Sequence, residues 1–270
     1  MLKRVLSFAS LALLLAGLNS CAKQTDENIA NELSQDVQDK ILALGFSPQN
    51  AKEADGGYIV EGDIFLAPED LDKTLDYHIL RVGDEEQYHT TNLVTGLPRN
   101  IKVWINAGNG GNKLPTSYIA ALDLAIQRYN NENLSITFSR VNSSNGANIQ
   151  IKKGNGNFLA SAGFPTSGGN PYGTIKVNSN AIGNQPQGTV ASILAHEMGH
   201  CIGFRHTDFM NRAYSCGGQA VNEGSAGVGA IHITGTPTGP DANSWMLSCI
   251  GQGDDRPFTN NDKTALDYLY

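Results

Sequence analysis

The chain has 270 residues, 40% of them hydrophobic and 17% charged, enough for one large or two small cores. Its formal net charge is -7; without Lys3 and Arg4, in a segment read below as removed, 17 basic residues face 26 acidic ones, or -9. That balance leaves no electrostatic footprint for nucleic acid or anionic lipid, and the composition excludes whole-chain disorder, collagen-like repeats and a polytopic membrane protein.

Residues 1–20 read as an export leader. Met1-Leu-Lys-Arg4 is a short basic head, and the apolar or small run 5–18 is too short to cross ~30 Å of hydrocarbon as a helix. Leu18-Asn-Ser-Cys21 resembles the lipobox of bacterial lipoproteins. The resemblance implies an acylated Cys21, residues 21–32 as a polar tether, and a lipid anchor at the bacterial cell envelope, at the outer membrane or cell surface. Cys201, Cys216 and Cys249 are then left; in an oxidising compartment two pair, and three pairings are open. A Cys216–Cys249 bond is expected, because Cys201 follows His200 on a helix and turns away from the face discussed below.

Residues 33–97 form a small amino-terminal segment. Leu33, Val37, Ile41 and Leu44 recur at helical spacing up to Gly45, an expected helix cap. Residues 57–66 read as a hairpin and 68–71 as a turn of helix, while 71–86 is charged and weakly patterned. Large apolar residues are few, so this segment should lean on something bigger. At Pro98 the texture changes, and 98–270 read as a second, larger domain. Strands are expected at 101–105, 134–140, 148–152, 159–162 and 174–177. A helix capped by Thr116 carries Ile119, Leu122, Ile126 and Tyr129 on one face. A second helix covers 190–202, a Gly-rich loop 217–240, and Thr259 opens a last helix over 260–269. This order suggests an α/β (α+β) half-domain, one twisted, mostly single-layered sheet under two helices.

The second helix holds His196-Glu-Met-Gly-His200. Residues four apart share a helical face, so both imidazoles can reach one metal ion, with Glu197 beside them. Gly203 lets the chain leave the helix, and His206 returns as a third ligand. Three neutral nitrogens and one open position describe a catalytic zinc site. Chance occurrence of the five fixed residues of H-E-x-x-H-x-x-G-x-x-H in such a composition is on the order of 10⁻⁵. His78, His89 and His232 lack metal spacing and are not expected to be ligands.

The long motif resembles that of metzincin zinc endopeptidases, and the run from His196 to Asp208 is similar to the bacterial dual-action HEIGH metallopeptidases, with Met198 in place of the isoleucine of that name. The resemblance spans roughly 98–270 and is specific at 196–208. It implies a metzincin-like domain with a mixed sheet, an active-site helix and a Met-turn at Met246 in Asn243-Ser-Trp-Met-Leu-Ser248. Ser248 stands where some relatives place a tyrosine, so no tyrosine ligand is expected. Asp208 would be an acceptor that orients a ligand or its loop. One Zn²⁺ held by His196, His200 and His206 would serve peptide hydrolysis, with Glu197 as general base. Protein or peptide substrate would add as a strand along the sheet edge at 159–163, and the loop 223–246 would shape the pocket for the side chain after the scissile bond.

The competing class is an envelope-anchored binding protein with a structural zinc, which would not need Glu197. A monomer without nucleic-acid partner is expected, meeting the membrane only through its lipid anchor. Residues 22–97 are expected to act as an inhibitory or chaperoning segment. No cysteine between Cys21 and Cys201 can cap the zinc, but Asp63 in Glu61-Gly-Asp63, at a Gly-Asp turn tip, can reach into a cleft.

Overall fold

Ile101, Val103 and Ile105 are buried while Asn100 and Lys102 are exposed, the period of two that marks a strand with one face on a core. The computed structural model describes residues 33–44, 46–72, 87–224, 229–237 and 239–270. The leader, Cys21 and the tether lie outside these residues, as do Gly45 and His78. Residues 33–270 form one compact unit. No helix among the described residues is long and apolar enough to cross a membrane.

Helix α1 (Gln35–Ala43) is capped by Ser34, whose side chain accepts from Val37 N at 3.4 Å. Strands β1 (Lys52–Ala54), β2 (Gly57–Val60) and β3 (Ile64–Leu66) make a small antiparallel sheet, followed by a 3-10 turn at Pro68–Asp70. These elements share a cluster of Ile41, Phe46, Val60 and Ile64, against which Phe164 of the larger domain packs. The Phe46 and Phe164 rings stack at 6.2 Å. The segment therefore does lean on the larger domain.

The larger domain follows as β4 (Tyr88–His89), β5 (Arg99–Ile105), α2 (Ser117–Asn130), β6 (Ile136–Arg140), β7 (Ile149–Lys153), β8 (Ala160–Ser161) and β9 (Thr174–Val177). Then come α3 (Ser179–Ile182), α4 (Gln187–Ile202), α5 (Ala213–Cys216), β10 (Ile231–His232) and α6 (Asn260–Leu269). The main sheet runs β6-β5-β7-β9-β8, parallel except for edge strand β8, so the fold is mixed α+β with a mixed sheet. Within the Gly-rich loop β10 pairs antiparallel with β4, an element that the loop's composition did not suggest.

From Thr189 to Ile202, α4 is buried on all sides, its apolar residues in the core and His196, Glu197 and His200 facing the site described below. Its partner α2 meets it through Tyr129, whose hydroxyl donates to Ala195 O at 2.7 Å. Thr116 is not a cap: its own backbone is already helical (φ -61°, ψ -27°), and its hydroxyl makes no capping bond. Thr259 caps α6 in a reciprocal box with Asp262.

Asp262 is a buried hub. It accepts from Gln87 Nε2 (2.6 Å), Ser244 Oγ (2.7 Å), Thr259 N (2.8 Å) and Trp245 N (3.3 Å), tying α6 to the turn before Met246. Asp262→Ala strands several buried donors at once and should destabilise the protein by about 3 kcal/mol. Urea unfolding reads this directly; a loss within 0.5 kcal/mol, roughly the range of a neutral surface change, would show that Asp262 is no hub.

Candidate metal centre

His196 and His200 leave the same face of α4. The helix ends at Gly203, whose φ of 113° lies in the region that side chains rarely adopt, and a Cβ there would sit 2.7 Å from Leu93 Cδ2. The chain then folds back along β4, with Arg205 N donating to Tyr88 O at 2.9 Å, and brings His206 to the other two histidines. Gly199, in mid-helix, has a packing reason: a Cβ there would lie 2.6 Å from Met246 Sδ. Met246 is fully buried, and its carbonyl accepts from Thr207 N at 3.0 Å.

Each imidazole is held through Nδ1. His196 Nδ1 donates to Trp245 O (2.8 Å), His200 Nδ1 to Phe204 O (2.8 Å) and His206 Nδ1 to the Glu223 carboxylate (2.9 and 3.0 Å). Carbonyls and carboxylates only accept, so Nδ1 carries the proton and Nε2 offers its lone pair. His200 Nε2 and His206 Nε2 are 3.2 Å apart, and Asp63 Oδ2 lies 3.1 Å from His206 Nε2 and 3.4 Å from His196 Nε2. One ligand atom from each of these four residues fits within 4.8 Å of the others. Converging lone pairs repel; a divalent cation among them turns repulsion into coordination. His196 Nε2, Asp63 Oδ1 and Glu197 Oε2 are all buried without a hydrogen-bond partner, as expected of atoms kept for a metal or its ligands. Three nitrogens and a carboxylate oxygen suit zinc.

Electrostatics set the rings apart. Burial, and then the neighbouring imidazoles, hold the His200 pKa well below the usual histidine range, keeping that ring neutral. Burial opposes charge on His206 too, yet the Asp63 and Glu223 carboxylates hold its pKa well above that range; a proton and a metal compete for the same Nε2. Burial likewise opposes charge on Asp63, and the imidazoles of His206 and His196 overcome it, leaving its pKa well below the carboxylate range. Burial, then the Asp63 charge, push the Glu197 pKa well above its ordinary value.

Asp63 closes the turn between β2 and β3. Glu61 and Gly62 before it have φ of 54° and 94°. Gly62 allows close approach, since a Cβ there would meet Arg212 Nη2 at 2.6 Å. Glu61 makes a fully buried ion pair with Arg205 Nη2 at 2.8 Å. The hairpin also lies on the edge expected to receive substrate: Ala162 N donates to Asp63 O (3.0 Å) and Phe65 N to Ala162 O (2.8 Å), with Ile64 parallel to Ala162. In this structure that edge is therefore already paired.

Asp208 has no hydrogen bond to a histidine among the described residues. It accepts from Ser215 Oγ and from Ser248 Oγ (2.8 Å) and Ser248 N (3.0 Å), fastening the chain after His206 to the Met246 turn. Glu223, not Asp208, holds a ligand, and sequence reasoning missed it because it sits in an unpatterned Gly-rich stretch. Cys216 and Cys249 form a disulfide beside this network, and Cys201 is a buried free thiol. His89 lies in β4 and His232 in β10, where their rings bond to Thr90 O and to the Thr236 hydroxyl.

Residues 58–270 match the family described as dual-action HEIGH metallo-peptidase. The chain belongs to that family. No curated protein matches it. Two solved structures of myroilysin are similar at a TM-score of 0.43 each, with 14% and 15% identity, over 67% and 66% of this chain and 86% and 96% of theirs. The family assignment rests on the 58–270 match, which takes in the Glu61–Asp63 turn as well as the histidine motif.

In this HEIGH metallopeptidase, Glu223 sets the tautomer and orientation of His206. Glu223→Gln should weaken zinc binding about 10- to 100-fold, measured by competition with a chromogenic chelator. Unchanged affinity would mean that the carboxylate is idle.

Proposed function

We propose that the chain is a zinc-dependent endopeptidase of metzincin type, acting on protein or peptide substrates, with one zinc ion held by His196, His200 and His206. The observation that carries the reading is Glu197: a carboxylate 2% exposed, one oxygen without a partner, on the same helix as two of the three histidines. When bound, zinc supplies Lewis acidity to water and to the scissile carbonyl. Glu197 takes a proton from water at its carboxylate oxygen and hands it to the leaving amine.

The amino-terminal segment holds this peptidase latent. Asp63 takes the position that water needs, and the β2–β3 hairpin covers the edge that substrate needs. A purely structural zinc would also have four protein ligands, but it would not keep an unpartnered Glu197 beside them. By sequence, the leader and Cys21 give the peptidase a lipid anchor at the bacterial cell envelope.

Two variants test this. Asp63→Ala in the full chain should raise the initial rate on an unstructured protein about tenfold or more, and a chelator should abolish it. Adding Glu197→Ala to that chain should leave zinc bound while turnover falls roughly 10²-fold or more. Near-full proteolysis without Glu197 would remove it as base; a full chain already as fast as Asp63→Ala would end the latency reading.

A further inference from the structure

Beside the histidines lies a cavity of about 280 Å³. Ile193 from α4 and Leu247 and Ile250 from the chain after Met246 line it, together with Asp63, Glu197 and two arginines, Arg212 and Arg256. The two arginines differ. Arg212 is neutralised, with Nε 3.0 Å from Glu223 Oε1. Arg256 has no carboxylate partner among the described residues. It is half-buried; its backbone N donates to Ser192 Oγ at 2.8 Å, and its Nη1 donates to Cys249 O at 2.7 Å.

The carboxylates whose charge acts on Arg256, Asp254 and Asp208, are hydrogen-bonded elsewhere, and Asp255 pairs with Arg128. Asp254 accepts from Gly251 N (3.2 Å), and Asp208 accepts from Ser215 and Ser248. Burial accordingly lowers the Arg256 pKa, with Asp254 and Asp208 opposing only in part. The guanidinium is also well fixed. Its backbone is pinned to α4 through Ser192, and the carbonyl it holds belongs to a disulfide-bonded cysteine. A planar cation of this kind keeps further N–H donors for a carboxylate.

We infer that this cavity is the subsite for an acidic side chain, with Arg256 as its specificity-determining residue, so that the peptidase cleaves on the amino side of Asp or Glu. The inference rests on the proposed peptidase reading and deepens it. Its direction follows from Glu197. The group that protonates the leaving amine stands on the amine's side of the scissile bond, and that group lines the cavity. The side chain entering it therefore belongs to the residue that supplies the amine. Apolar walls around one unpaired cation strengthen its hydrogen bonds to a carboxylate and leave it uncompensated when a neutral side chain enters.

The experiment uses two peptides that differ only in Asp against Asn after the scissile bond. With the full-chain Asp63→Ala protein, kcat/KM should favour the Asp peptide by about 10- to 100-fold, the range of a charged hydrogen bond. Cleavage of an unstructured protein, mapped by mass spectrometry, should show Asp and Glu enriched at that position. Arg256→Gln should collapse the ratio towards one. A second arm needs no turnover: the zinc-loaded Asp63→Ala, Glu197→Ala chain should bind the fluorescent Asp peptide about tenfold more tightly than the Asn peptide. Preferential binding without any cleavage would sustain the subsite and sink the peptidase reading. Equal binding of both peptides, cleavage blind to the acid, or a preference that survives Arg256→Gln would overturn the inference.

Discussion

Three imidazole lone pairs aimed at one another are the constraint around which the rest of this protein is arranged. Left alone they repel, so the fold must hold each ring from behind. It does so with acceptors from three places: the carbonyl of Trp245 before Met246, the carbonyl of Phe204 just past α4, and the carboxylate of Glu223. Each acceptor is fixed in turn. Trp245 Nε1 donates to Tyr129 of α2 and Trp245 N to Asp262 of α6, while Phe204 is bridged to His89 of β4. A shift in any one would rotate a ring and misdirect its Nε2. This is why α4 is buried on every side and why the turn at Met246 is tied down by hydrogen bonds from both neighbours.

The same constraint explains the amino-terminal hairpin. Asp63 brings a negative charge to the converged nitrogens, and Glu61, two residues earlier, brings one to Arg205. The Arg205 guanidinium lies over the Phe46 and Phe209 rings at 5.7 and 5.6 Å, closed off from water. A buried ion pair of this kind adds little net stability when intact, but losing one partner costs about 3–5 kcal/mol. The segment is therefore coupled electrostatically to the larger domain as well as packed on it. Glu61 sits at positive φ, a conformation that costs a non-glycine residue on the order of 1 kcal/mol.

Periodicity made much of the fold legible. The alternation at 101–105, the apolar face around Leu122 and the capped start at Thr259 each mark an element that the structure contains, because local pattern and burial agree there. The spacing of His196, His200 and His206 likewise foretold that they converge, since helix geometry and the Gly203 exit dictate it. The Gly-Asp tip made the reach of Asp63 readable as well. What stayed hidden depends on long-range backbone geometry: the carbonyls behind His196 and His200 carry no side-chain signal, and Glu223 stands in a stretch without periodicity. The pairing of β4 with β10 joins two residues to two others far along the chain, too short for any pattern. Of the two roles expected of Asp208, the structure has it hold the loop and not a ligand, through Ser215 and Ser248.

His196, His200, His206 and Asp63 offer four ligand atoms to one metal ion in the intact chain. Zinc X-ray absorption on purified residues 21–270 at neutral pH reads that shell. One zinc per chain is expected, bound by three imidazole nitrogens and one carboxylate oxygen, with the carboxylate lost in Asp63→Ala and the imidazoles kept. Protein that retains no zinc, or zinc whose shell lacks the three imidazoles, would contradict it.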